Sequence, residues 1–188
     1  ELLRSLQALI NIINARDRYT SGHVERVVMY SKALGQELGL EADQRKSLSL
    51  AAYMHDIGKV NLSENVLNKS TPLNDYEWQD IKQHSVVGAR ILKEVAMLSS
   101  IAPLVLHHHE RYDGSGYPRG LKGSEISLGA RIFALVDAVD AIVYDRPYHR
   151  GTDFSVAREE ILRRSGTHFD PQLVVPALSF LERWAPAG

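Results

Sequence analysis

The chain contains no cysteine. Disulfides and thiolate-held metals are therefore excluded, and any bound cation must be held by imidazole and carboxylate, a donor set that suits iron, manganese, zinc or nickel. The lack of cysteine is also compatible with a reducing compartment, and a cytoplasmic location is the expectation. Neither charge is in excess. The 22 Lys and Arg against 23 Asp and Glu give a formal net charge of −1, which argues against a surface that coats polymeric nucleic acid. No apolar run approaches the ~18 to 20 residues of a membrane-spanning helix, and nothing resembles a signal peptide. No segment alternates convincingly with period two, and there is neither an internal repeat nor a low-complexity tract. With 188 residues, 44% of them hydrophobic and 24% charged, the chain has enough apolar material for one domain, at most with an appendage. The expected fold class is all-α, a helical bundle.

The first residue is Glu1 rather than Met, and Leu2, Leu3, Leu6, Leu9, Ile10 and Ile13 follow helical spacing. The expectation is an opening helix over residues 1–16, a linker from a module preceding Glu1, ahead of a main domain over 17–188. Leu2, Leu6, Leu9 and Ile13 fit either a seam with a second copy, hence a homodimer, or an internal core face. After the polar break at Asp17 to His23, Thr20 or Ser21 can cap a helix whose inner face is Val24, Val27, Ser31, Leu34 and Leu38, closed by Gly39. His23 falls in its first turn, where a neutral imidazole is electrostatically preferred.

A third helix runs into Ala51-Ala52-Tyr53-Met54-His55-Asp56-Ile57-Gly58-Lys59. Apolar residues that deliver an imidazole, a carboxylate and an ammonium to one place need an object there, and a cation is the natural one. Gly58 is expected to end the helix in the left-handed conformation, turning Lys59 back toward the same spot. Val60 to Pro72 reads as a connection. Asn74 then caps a helix to about Val95, with His84 on its apolar stripe.

Ser99 or Ser100 opens a helix leading to His107-His108-His109-Glu110. Three consecutive helical histidines cannot all face one way, although two can converge on an ion. The glycine-rich stretch Tyr112 to Gly123 is a candidate functional loop. The apolar helix from Ala130 to Val143 carries Asp137 and Asp140 three apart on one face, and such carboxylates must be paired or bound. Asp153 or Ser155, and then Asp170-Pro171, begin two closing helices, with Gly166 between them.

Collected, His23, His55, Asp56, His84, His108, His109 and Asp137 lie on five helices at spacings that no local motif explains. Bundles bring such side chains together in their interiors, and this set is too large for one ion of four to six ligands. Two metal ions are therefore expected, with Asp56 the best-placed carboxylate to bridge them.

The ordered set of a histidine, His55-Asp56-Ile57-Gly58-Lys59, a further histidine, His108-His109-Glu110-Arg111-Tyr112-Asp113-Gly114-Ser115-Gly116-Tyr117-Pro118, and Asp137 in Ala130-Arg131-Ile132-Phe133-Ala134-Leu135-Val136-Asp137 resembles the HD-GYP branch of the HD phosphohydrolase superfamily. The match runs from about Asp17 to Val174. The resemblance implies a metal-dependent phosphodiesterase that opens cyclic di-GMP to pGpG, and in many members to GMP. It implies one metal on His23, His55, Asp56 and Asp137, and a second on Asp56, His84, His108 and His109, leaving His107 out. Iron or manganese is the usual metal of the family. Asp56 and Lys59 would be catalytic, with Lys59, Arg146 and His149 contacting substrate phosphate.

Two positions depart from the family pattern. Tyr19 stands where some members have a third-metal Glu, so two ions are expected rather than three. His149 stands where Lys or Arg is common, which weakens one phosphate contact. Domains of this type are often coupled to sensory or receiver modules, and the loop around Tyr117 could serve a diguanylate cyclase partner. The rival readings are a non-catalytic cyclic di-GMP receptor or protein-interaction module, and an HD hydrolase acting on another cyclic dinucleotide.

Overall fold

The computed structural model describes residues 8, 10–12, 22–144 and 151–183, and among them every regular element is helical. In chain order these are α1 (His23–Glu37), α2 (Ala42–Met54), a 3-10 segment (Ile57–Asn61), α3 (Glu64–Leu67), α4 (Asp75–Lys93), a 3-10 segment (Ala96–Ile101), α5 (Ala102–Leu106), a 3-10 turn (Gly123–Glu125), α6 (Leu128–Val143), α7 (Phe154–Arg163) and α8 (Pro171–Leu181). No described helix is long and apolar enough to cross a membrane.

Helix limits follow local chemistry where the capping residues are strong. Asn74 accepts from Glu77 N at 2.9 Å while the Glu77 side chain accepts from Asn74 N at 2.8 Å, a reciprocal cap that starts α4. Ser127 caps α6, and Asp170 caps α8 with proline in its first turn. Gly39 and Gly166 both take positive φ, 74° and 78°, beyond α1 and α7.

Elsewhere the expectations need correction. The residue before α1 is Gly22, at φ 73° and with no side-chain cap; Thr20 and Ser21 lie outside the described residues, as do Leu2, Leu6, Leu9, Ile13, Tyr19, Arg146 and His149. Ser99 and Ser100 lie within the 3-10 segment instead of opening α5. Part of the stretch read as connection, Glu64–Leu67, forms a one-turn helix capped by Ser63.

The core has two parts. One gathers Val27 and Leu34 of α1, Leu48 and Ala52 of α2, Ile132, Leu135 and Val136 of α6, and residues of α7 and α8. The other joins Ile10, Ala51 and Met54 to Ile57, Leu92 of α4, Leu98, Ile101 and Val105. Successive residues of α2 face the two parts, Ala52 one and Ala51 the other, as a 100° helical step requires. The C-terminal end of α2 therefore emerges between two apolar masses. That is where His55 and Asp56 stand.

Candidate metal centre

Seven ionisable side chains from five stretches of chain meet between the two core parts. Ligand atoms of His84, His108 and His109 all lie within 4.8 Å of one another, and so do those of His23, His55 and Asp137. Asp56 stands between the two groups. Its Oδ2 is 3.1 Å from His55 Nε2 and its Oδ1 is 3.6 Å from His84 Nε2, so one oxygen addresses each group. Lys59 Nζ is 2.8 Å from the same Oδ2.

The backbone fixes which nitrogen each imidazole offers. His55 Nδ1 meets the Ala52 carbonyl at 2.8 Å, His84 Nδ1 that of Ile81 at 2.5 Å, and His108 Nδ1 that of Val105 at 2.6 Å. A carbonyl can only accept, so each Nδ1 carries a proton; in His84 and His108, whose charged form burial disfavours, Nε2 then turns a lone pair inward, whereas His55 Nε2 faces the Asp56 carboxylate and donates to it. The His84 and His108 Nε2 atoms then face each other at 3.1 Å. Two lone pairs so placed repel unless a cation answers them, and the donor set therefore fits a metal ion.

Burial and charge act on these groups in opposite directions. Burial holds His84 and His108 below the ordinary imidazole range and takes His109 down to about 3, neighbouring histidines adding to the effect. Burial also opposes charge on His55, but Asp56 and Asp137 outweigh it and raise that group. Burial would push the Asp56 carboxyl up; His55 and Lys59 instead hold it well below the carboxylate range. His84, His108 and His109, held neutral beside the ionised Asp56, would need to shed no proton to take a metal, whereas His55 would give one up.

The sign of the pH effect follows. His84, His108 and His109 resist protonation when folded, whereas the unfolded chain takes up protons below about 6.5, so unfolding is favoured progressively as pH falls below that value. His55 works the other way, its contribution being present below 6.5 and lost as pH rises through its folded value. Three groups outweigh one, each unmatched proton being worth up to about 1.4 kcal/mol per pH unit. Chelator-treated protein should therefore melt at successively lower temperature at pH 7, 6 and 5. A midpoint that stays level or rises over that range contradicts the assignment of neutral, buried imidazoles.

Two expectations about this region fail on geometry. The three histidines do not share a helix: α5 stops at Leu106, and His107, His108 and His109 follow in a turn. That turn lets His108 and His109 point to the centre together, with rings 4.0 Å apart, whereas the ring nitrogens of His107 are buried without a hydrogen-bond partner. Gly58 is not left-handed; it lies within the 3-10 segment, and a Cβ there would fall 1.9 Å from the His84 carbonyl oxygen. Its role is to let the His-Asp segment press onto α4, which is how His55 and His84 come to share one centre.

The glycine-rich loop covers one side of the centre. Glu110 is buried and its carboxylate accepts from Arg119 N at 2.7 Å and Leu121 N at 3.0 Å, tying both limbs together. Gly116 runs against Glu110 so closely that a Cβ would meet the Glu110 Cα at 2.5 Å. The Tyr117 ring is thereby laid on His109, with centroids 4.7 Å apart and planes 28° from parallel. Glu110 as a clamp was missed by the sequence reading, which took it only as part of a motif; an acidic residue followed by several glycines was the available signal. Phe133 packs against both His55 and His108, at 5.0 and 5.8 Å, and only the helical register of α6 hinted at it.

With this geometry in hand, comparison with known proteins is specific. The model of a family described as HD domain matches residues 7–173. A cyclic di-GMP phosphodiesterase of Pseudomonas aeruginosa is 38% identical over 175 residues, covering 92% of this chain and 42% of that protein. A 3'3'-cGAMP-specific phosphodiesterase of Vibrio cholerae is 35% identical over 161 residues, covering 86% of this chain and 35% of that protein. The chain thus spans roughly a third to two fifths of the length of these relatives. In three dimensions, a crystal structure of a cyclic GMP-AMP-specific phosphodiesterase of V. cholerae superposes with a TM-score of 0.71 at 22% identity, covering 94% of this chain and 48% of that one. The His55-Asp56 pair at the centre, the Gly116-Tyr117-Pro118 loop beside it and a family match over nearly the whole sequence lead to one conclusion: the chain belongs to the HD domain family, in its HD-GYP branch.

Proposed function

We propose that this domain hydrolyses the phosphodiester bonds of a cyclic dinucleotide, cyclic di-GMP first among them, at a centre of two divalent cations, iron or manganese. The observation that carries the reading is the division of Asp56 between two sets of ligand atoms, one oxygen toward His55 and the other toward His84. His23, His55, Asp56 and Asp137 would hold one cation, and Asp56, His84, His108 and His109 the other. Bound there, the pair would supply an acidified water at neutral pH and positive charge against the phosphate oxygens.

The chain's own groups do the rest. Asp56 fixes the spacing of the two halves. Phe133 and the Tyr117 ring wall the centre with apolar surface, so that charges within it act through little water. Lys59, one fifth exposed and held 2.8 Å from Asp56, presents its ammonium at the edge of the centre, where it would take a non-bridging phosphate oxygen as charge accumulates. Arg146, outside the described residues, would grip the second phosphate, and His149, also outside them, would add only a weakened contact. Lys59→Ala is expected to lower kcat by about 10²- to 10³-fold, the usual effect of losing one transition-state donor, while the metal content stays at the wild-type level. Equal loss of metal and rate would make Lys59 a support for the ligands and not a catalytic residue.

A second reading, 3'3'-cGAMP as substrate, is favoured by the relative of that specificity in V. cholerae. Incubation of manganese- or iron-loaded protein with each dinucleotide in parallel, followed by chromatography, separates the two. Linear pGpG, with or without GMP, from cyclic di-GMP supports the first reading. Cleavage of cGAMP alone moves the assignment to the second, and binding of either without turnover replaces both with a receptor.

A further inference from the structure

The apolar helix α6 carries a second carboxylate that the centre's ligand set does not use. Asp140 is 1% exposed, one helical turn beyond Asp137, and its partners are unlike those of a surface acid. Oδ2 lies 2.7 Å from His23 Nδ1 and 3.2 Å from one terminal nitrogen of Arg26, and Oδ1 lies 2.6 Å from Arg26 Nε. The Arg26 guanidinium is itself pinned, 3.8 Å over the Tyr144 ring, whose hydroxyl is 2.7 Å from that of Tyr30. His23 differs from its neighbours here. His55, His84 and His108 are aligned by backbone carbonyls of their own segment, but His23 is the first residue of α1 and takes a carboxylate from a helix 117 positions away.

We infer that Asp140 and Arg26 form a positioning pair that fixes His23 with its proton on Nδ1 and its lone pair on Nε2, facing Asp137 Oδ1 at 3.4 Å. The inference rests on the reading of His23 as a metal ligand. The ionised carboxylate can only accept, so Nδ1 must donate. Arg26 decides what happens when that changes, because it presents two donors to the same carboxylate. In Asp140→Asn the single amide oxygen is drawn to Arg26 Nε, the closer donor. The amide NH2 is then left against His23 Nδ1, and the ring is forced into the tautomer that carries its proton on Nε2, blocking the metal.

The consequence is selective. Loss of an orienting partner behind a ligating histidine typically weakens metal binding about 10- to 100-fold, and here it should do so only on the His23 side. The test is Co2+ titration of metal-free wild type, Asp140→Asn, Arg26→Met and the double variant, read by visible absorption and by metal per chain, with thermal melts to establish folding. Wild type should bind two ions. Asp140→Asn should keep the ion at His84, His108 and His109 unchanged and bind the other about 10- to 100-fold more weakly. Adding Arg26→Met should restore most of that affinity, because the amide is then free to turn its oxygen to His23. A merely structural role predicts the opposite, a double variant weaker than either single one. Two full-affinity ions in Asp140→Asn, or no rescue in the double variant, overturns the inference while the metal-centre reading stands. No cobalt bound by wild type overturns both.

Discussion

Replacement of Asp56 by alanine should abolish phosphodiester hydrolysis, by at least about 10³-fold, the upper end of what a single transition-state donor contributes, and should remove bound metal at the same time. The expectation follows from what the carboxylate touches. One oxygen stands with His55 and the other with His84, so its loss removes a ligand from each half and the element that sets their separation. It also removes the carboxylate 2.8 Å from the Lys59 ammonium, whose charge would then oppose any cation bound at the centre. Asp56→Asn separates these effects, since it keeps the shape and discards the charge. It should retain more metal than alanine yet remain nearly inactive. Activity and metal content measured on the same preparations decide the matter, and an Asp56→Ala protein with two ions per chain would remove Asp56 from the centre.

The second large effect is on folding. Gly58→Ala should destabilise the domain by about 3 kcal/mol or more, as overpacking that only backbone movement can relieve does. The added methyl would lie 1.9 Å from the His84 carbonyl oxygen and 2.6 Å from Gly88 N, all of it backbone. Any relief must push the 3-10 segment off α4, and that separates His55 from His84. Gly39→Ala is the fitting control: its φ is 74° and nothing lies within 4 Å of a new Cβ, so about 1 to 2 kcal/mol of left-handed strain is expected. Denaturant midpoints for the two variants compare them directly. If Gly58→Ala were no worse than Gly39→Ala, the close approach would not be what unites the two halves.

The contrast between these glycines shows what the sequence could and could not convey. Gly39, Gly166 and Asn74, and Asp170 in its capping bond to Gln172 N, act through their own neighbours in the chain, and their positions at helix ends were legible from residue type alone. Gly58 looked like another of the same kind, but its constraint comes from α4, some 26 residues on. The histidine turn was misread as helix because α5 is only five residues long and its termination at Leu106 has no glycine to announce it. The all-helical class followed from the missing two-residue period. The grouping of histidines and acids was suggested by donor types too numerous for one ion, together with the family motifs. The split into two sets about Asp56 was available through the family resemblance and not through spacing, and the coupling of Asp140 to His23 is a long-range contact that spacing along the chain does not encode.

The most direct measurement is anomalous X-ray diffraction from crystals of the manganese-loaded domain, recorded on either side of the manganese edge. A two-ion centre predicts two peaks within a few ångströms of each other, one beside His23, His55 and Asp137, the other beside His84, His108 and His109, with Asp56 reaching both. A single peak, or peaks that leave Asp56 uncoordinated, would contradict it.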